Sequence, residues 1–174
     1  MIRRLPQKVV DWSRDGDALR SRRYGVIETA GGTVVAVYLR PWPKLFSWPE
    51  LGLAGSERRP NGAADRCWLY YNQPRRFSNF LALKYMASTP GTSYATFLAS
   101  LRVLDGIAAL KGSDALLCDA LNRRISDRLL ARLGWEPHKP SRWHRNYVKR
   151  FYGRYPAHAL SLACLAQSDR HVAC

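Results

Sequence analysis

Hydrophobic and polar positions along the first half of the chain predict a structure rich in strands. The pattern predicts a short helix within residues 5–23, followed by strands at 24–28, 33–39, 67–72 and 80–87. The first two strand segments are rich in β-branched residues and flank Gly31-Gly32, which is typical of the tight turn of a hairpin. The other two are joined by residues 73–76, which include Pro74. We therefore expect two pairs of consecutive strands.

The second half of the chain alternates between helical and strand patterns. Residues 94–111 carry a broad apolar stripe at helical spacing and predict the main helix. Residues 115–118 are uniformly apolar, as in a strand that is covered on both faces. A shorter helix is expected next, with Asn122 as its N-cap and Gly134 just past its end, where Trp135 folds back over the last turn.

The apolar face of this second helix gives an expectation about burial. Four residues recur at helical spacing on that face: Ile125, Leu129, Leu130 and Leu133. We expect at least one of Leu129 and Leu130 to be fully buried.

The aromatic residues of the last segment fit two structures. Trp143, Tyr147 and Phe151 recur every four residues, which is helical spacing and also places all three on one face of a strand. The pattern alone leaves both alternatives open.

Together these elements predict an α+β fold of the α/β three-layer type, with a mixed β-sheet flanked by helices. We expect a single domain over residues 1–174. The long helix joins two strands, so the strand at 115–120 should run parallel to the strand at 80–87. Residues 41–66 are rich in proline, glycine and tryptophan, and predict an ordered loop whose aromatic side chains pack over the sheet edge.

The chain is strongly basic. The formal net charge is +15, and 22 of the 28 basic residues are arginine. This bias favours phosphate or carboxylate partners, or reflects a GC-rich genome. The segment 137–168 contains no Asp or Glu and is rich in basic and aromatic residues, which predicts an anion-binding surface. For nucleic acid, the residues of interest are Arg142, Trp143, Arg145, Tyr147, Lys149 and Arg150.

Several protein classes are not expected. No apolar run approaches the roughly 20 residues that cross a bilayer. The N-terminus lacks the apolar core of a secretory signal, so we expect a cytoplasmic protein without membrane contact. The four cysteines and four histidines show no zinc-binding spacing, and we expect no metal.

Residues 94–152 contain a predicted helix–strand–helix array, whose second helix is followed by Gly134-Trp135. This region resembles the second half of the GNAT acyltransferase fold. The resemblance extends back to about residue 20, and it favours the strand alternative for the last aromatic segment. It implies acetyl-CoA or another acyl-CoA as cofactor, with the pyrophosphate at the N-terminus of the helix 94–111. Leu130 stands where the family often places a tyrosine acid. The implied cofactor-binding residues are Thr89, Gly91, Thr92, Ser93, Asn122, Arg123, Arg124 and Ser126.

Three functions follow as hypotheses. The first is an N-acyltransferase that uses acyl-CoA on an unknown small-molecule or peptide amine, with Glu28, His138 or His144 as the base. In this hypothesis Glu136 orients a histidine. The second is a non-catalytic protein of the same fold that binds a ligand or a partner. The third is a nucleic-acid-binding protein that uses the basic segment.

Overall fold

The computed structural model describes residues 7–42, 65–120, 125–139 and 144–165, and within these ranges the chain forms one eight-stranded sheet and four helices. The strands are β1 (Gln7–Val9), β2 (Tyr24–Ala30), β3 (Thr33–Arg40), β4 (Arg66–Asn72), β5 (Phe80–Ser88), β6 (Ala115–Asp119), β7 (Glu136–Pro137) and β8 (Asn146–Arg150). The helices are α1 (Trp12–Ser21), α2 (Tyr94–Lys111), α3 (Asp127–Arg132) and α4 (Ala157–Leu165). The strand order in the sheet is β1-β3-β2-β4-β5-β6-β8-β7.

The main sequence predictions for the fold are confirmed. The sheet is mixed and flanked by helices, and β2 and β3 form the hairpin around Gly31-Gly32, both of which have positive φ. Strands β5 and β6 are adjacent and parallel, paired from Phe80 with Ala115 to Leu83 with Cys118. Helix α2 begins at the cap Ser93 and ends at Gly112, which is left-handed. The last aromatic segment contributes a strand, β8.

Three predictions about elements need correction. The segment predicted as one helix contains β1 as well as α1, because residues 7–9 pair with β3 at the sheet edge. The second short helix begins at Asp127, and its N-cap is Ser126, whose Oγ accepts a hydrogen bond from the backbone N–H of Leu129 at 3.2 Å. Asn122 therefore does not cap this helix, and it lies outside the described residues. Helix α4 was not predicted.

The hydrophobic core lies between the sheet and α2. Cross-strand partners share a face of a sheet, and the fully buried Ile27, Leu69, Leu81 and Leu116 line the face that α2 covers. Helices α1 and α4 both pack against α2. The closest approach is at Gly106, where an added Cβ would lie 2.9 Å from the Cβ of Leu162.

The end of α3 follows the prediction closely. Leu130 is buried, with 5% exposure, whereas Leu129 is half-buried. Gly134 has a φ of +83°, and the Trp135 N–H donates to the carbonyl of Leu130 at 3.0 Å, so the buried indole folds back over the helix. Of the predicted loop at 41–66, residues 43–64 lie outside the described residues.

Candidate functional site

Strands β5 and β6 separate at their carboxyl ends, and a cleft of about 320 Å³ opens between them. Their pairing ends at Leu83 and Cys118. The next residue of β5, Lys84, is bulged, since Tyr70 pairs with Tyr85 and Tyr71 pairs with Leu83. A bulge bends its strand and increases the local twist, which explains why β5 stays with β4 and leaves β6. In open sheets this is the end at which ligands bind.

The cleft has mostly apolar walls, and its polar lining residues are Lys84, Tyr85, Ser88 and Asp119. The apolar lining residues are Leu83, Met86, Phe97, Leu101, Cys118, Ala120, Ile125, Leu130 and Trp135. Burial, reinforced by the charge of Asp119, raises the pKa of the Cys118 thiol to about 11. The thiol is therefore protonated near neutral pH and is a poor nucleophile. Leu130, at the position where the GNAT family often carries tyrosine, presents only an apolar surface to the cleft.

Asp119 lines the cleft, and its carboxylate pairs with the imidazole of His144. Asp119 is the last residue of β6, and its Oδ2 is 2.6 Å from Nδ1 of His144. The Asp119 Oδ1 atom is buried and has no hydrogen-bond partner within the described part of the chain. The His144 side chain is 57% exposed. The pair can orient the imidazole for proton transfer at Nε2 and can accept a hydrogen bond from a ligand at Oδ1.

Asp119 is the site residue that the sequence analysis missed. The expected orienting carboxylate was Glu136, but Glu136 forms an ion pair with Arg150 instead. A sequence feature could have identified Asp119, because it directly follows the apolar run 115–118, at the carboxyl end of a buried strand.

The other two candidate bases lie elsewhere. Glu28 is buried in β2, separated from β5 by β4, and does not line the cleft. Its carboxylate accepts hydrogen bonds from the Tyr38 hydroxyl at 2.8 Å and from Arg66 at 3.1 Å. His138 lines a different pocket, together with Phe80 and Ala115 at the start of the parallel strands. Of the three, His144 is the one bonded to Asp119, a residue that lines the cleft.

The loop expected to bind pyrophosphate uses its hydroxyls within the protein. Thr89 and Thr92 both bond to the backbone carbonyl of Arg66. Ser93 donates from its backbone N–H and from its Oγ to the carboxylate of Asp65, at 2.8 and 2.7 Å. These two hydrogen bonds are the main reason that the pKa of Asp65 is lowered. A carboxylate of the protein thus occupies the N-terminus of α2.

The remaining residues expected at the cofactor are only partly described. Gly91 is exposed in the turn before α2, with a φ of +92°. Ser126 is the cap of α3, while Asn122, Arg123 and Arg124 lie outside the described residues. The binding of pyrophosphate by this set stays a prediction.

Three basic residues of the segment 137–168 form ion pairs with acidic residues from other elements, namely Arg145, Lys149 and Arg150. Arg145 forms an ion pair with Asp127, which also accepts a hydrogen bond from the Tyr147 hydroxyl at 2.6 Å. Lys149 Nζ lies 2.7 Å from the buried carboxylate of Asp105 in α2. Tyr147 itself is in the core. Arg142 and Trp143 lie outside the described residues, so base stacking by Trp143 stays a prediction.

The described residues show neither a membrane-spanning helix nor a metal-binding group. No helix there is long and apolar enough to cross a membrane. No group of three or more His, Cys, Asp or Glu side chains there is arranged to hold a metal ion.

Comparisons with known proteins give one structural likeness. No family model matches the sequence, and no curated protein matches it. The fold is similar to the crystal structure of nourseothricin acetyltransferase, with a TM-score of 0.42 and 12% sequence identity. The likeness covers 84% of this chain and 99% of that one.

Proposed function

We propose that this protein is an N-acyltransferase that transfers the acyl group of acyl-CoA to an amine bound beside Asp119 and His144. The observation that carries the proposal is the cleft between the diverging ends of β5 and β6. Its lining is mostly apolar and includes Asp119, whose carboxylate pairs with the imidazole of His144. An acyl chain needs an apolar channel, and an amine nucleophile needs a base.

The cleft fits the acyl-bearing arm of the cofactor. Its volume of about 320 Å³ is near the lower end of the roughly 300–1,000 Å³ typical of ligand sites. Leu83, Met86 and Leu101 would contact the acyl chain. When bound, coenzyme A supplies the acyl group as a thioester. Its phosphates are placed at the start of α2 only by the sequence resemblance, and there they would have to displace Asp65.

The residues of the site support direct transfer to the amine. Asp119 Oδ1 accepts a hydrogen bond from the incoming ammonium group and positions it. The bound ammonium group first gives one proton to solvent and becomes a nucleophilic amine. His144 Nε2 takes the second proton, which the nitrogen loses as the amide forms, and Asp119 stabilises the imidazolium. The new C–N bond forms as the C–S bond breaks, and the imidazolium returns the proton to the leaving sulfur. Cys118 takes no part, because its pKa of about 11 keeps the thiol protonated.

Two matched histidine variants test the proposal. His144→Gln keeps a hydrogen-bonding side chain but cannot accept the proton, so we expect transfer to fall by roughly 100-fold or more. His138→Gln, in the other pocket, should leave transfer unchanged. The measurement is thiol release from acetyl-CoA and longer acyl-CoAs across a panel of amines. Equal rates for His144→Gln and wild type would contradict the assignment.

Occupancy of the cleft is tested separately by calorimetry. Met86→Trp places a larger side chain in the cleft and should abolish acyl-CoA binding. Leu160→Trp adds the same group on the exposed side of α4 and should not affect it. Wild-type protein that binds no acyl-CoA would refute the proposal. Binding without transfer to any amine would favour the non-catalytic alternative.

A further inference from the structure

We propose a second ligand site, for a small oligophosphate group, in a pocket at the opposite end of β5 from the cleft. The pocket has a volume of about 350 Å³, and its described lining includes Arg22, Arg23, Arg40 and Arg75. These residues lie at the start of β2, the end of β3 and the turn after β4. The cleft, by contrast, lies between the diverging carboxyl-terminal parts of β5 and β6.

The described residues that line the pocket concentrate positive charge. Its described lining residues include no Asp or Glu. The Nη1 atom of Arg23 is buried and has no hydrogen-bond partner within the described part of the chain. A buried guanidinium N–H without a partner costs free energy, and an anion in the pocket would remove that cost.

The backbone that carries these arginines is held in place. Lys111 Nζ donates to the carbonyls of Arg20 and Arg22, both at 2.7 Å. The backbone N–H of Gln73, two residues before Arg75, donates to the carbonyl of Arg23 at 2.7 Å. Three elements, α1, α2 and the turn after β4, therefore fix the position of the pocket. A site that is organised before the ligand arrives loses less entropy on binding.

The pKa of a neighbouring lysine is lowered mainly by burial and further by the positive charge near the pocket. Burial, together with the charges of Arg23 and Arg20, lowers the pKa of Lys111 to about 8. The positive potential that disfavours the ammonium also attracts an anion.

The chemistry of the pocket favours phosphate over a single carboxylate. Guanidinium groups bind phosphate oxygens through paired hydrogen bonds. Four arginines around one cavity exceed what one carboxylate can neutralise, whereas linked phosphates carry several charges. The pocket is concave and small, which suits a compact oligophosphate better than an extended polymer.

Calorimetry with inorganic pyrophosphate and tripolyphosphate on the full chain tests this site. We expect Arg23→Gln and Arg75→Gln each to weaken binding by about tenfold or more, from the loss of a charged hydrogen bond. Arg75 is exposed in a turn, so its variant should fold normally. Arg102→Gln makes the same change of charge on the exposed side of α2 and should leave binding unchanged.

Three outcomes would overturn the proposal. The first is the absence of binding by the wild type. The second is equal weakening by Arg102→Gln, which would indicate diffuse attraction by net charge. The third is tighter binding of a single-stranded oligonucleotide than of tripolyphosphate, with that binding lost in Arg23→Gln and Arg75→Gln. This result would make the pocket part of a nucleic-acid surface. Met86→Trp should leave pyrophosphate binding intact, so this test stands apart from the acyl-CoA proposal.

Discussion

Leu130 combines two roles at the residue scale, since it is buried in the core and also lines the cleft. Truncation to alanine should lower the free energy of unfolding by about 2–5 kcal/mol, because apolar contacts are lost and a cavity remains. Leu129→Ala, at the half-buried neighbouring position, should lower the free energy of unfolding by less than Leu130→Ala does. Urea unfolding of the two variants measures both values. A larger cost at Leu129 would show that the apolar face of α3 has been misassigned.

At the scale of elements, the start of α2 depends on Asp65. Its hydrogen bonds from Ser93 lower its pKa in the folded state. A carboxyl whose folded pKa is lowered adds stability above its unfolded pKa of about 3.9, and that stability is lost as pH falls through the folded pKa. We therefore expect wild type to exceed Asp65→Asn in stability near neutral pH, with the difference shrinking in acid. Urea unfolding across the acid range measures it, and a difference independent of pH would contradict the assignment.

The same carboxylate allows a test of the predicted phosphate position. If the pyrophosphate of coenzyme A binds at the N-terminus of α2, Asp65 competes with it for the Ser93 donors and repels its charge. Asp65→Asn should then bind acetyl-CoA more tightly than wild type does. Calorimetry of the two proteins measures the change. Unchanged or weaker binding would place the phosphates elsewhere.

At the scale of the whole molecule, net charge should limit stability. The formal charge of +15 opposes compaction through self-repulsion. Raising sodium chloride from about 0.01 to about 0.1 M shortens the Debye length from about 30 to about 10 Å, so this repulsion is screened and Tm should rise. Thermal unfolding at several salt concentrations measures the effect. A falling Tm would show that ion pairs such as Lys149–Asp105 outweigh the repulsion.

Elements that depend on neighbouring residues could be predicted from the amino-acid pattern. The hairpin around Gly31-Gly32, helix α2 and the strand that begins at Ala115 follow from local periodicity, turn residues and caps. Their lengths and order were sufficient to predict the parallel pairing of β5 with β6. Local rules were less decisive for α3, because Asn122 and Ser126 are both good caps and only packing selects between them.

Features that depend on residues far apart in the chain could not be predicted in this way. Strand β1 has three residues, too few for a periodic pattern, and exists because β3 offers a free edge. The pairing of Asp119 with His144 spans 25 positions, and that of Asp105 with Lys149 spans 44. The pairing of Lys149 with Asp105 shows that a basic segment without acidic residues of its own can be paired with acidic residues from other elements. The cleft, the ion pairs of the basic segment and the arginine pocket all form where separate elements meet. The distances between their side chains are set by the folded sheet and cannot be read from local sequence.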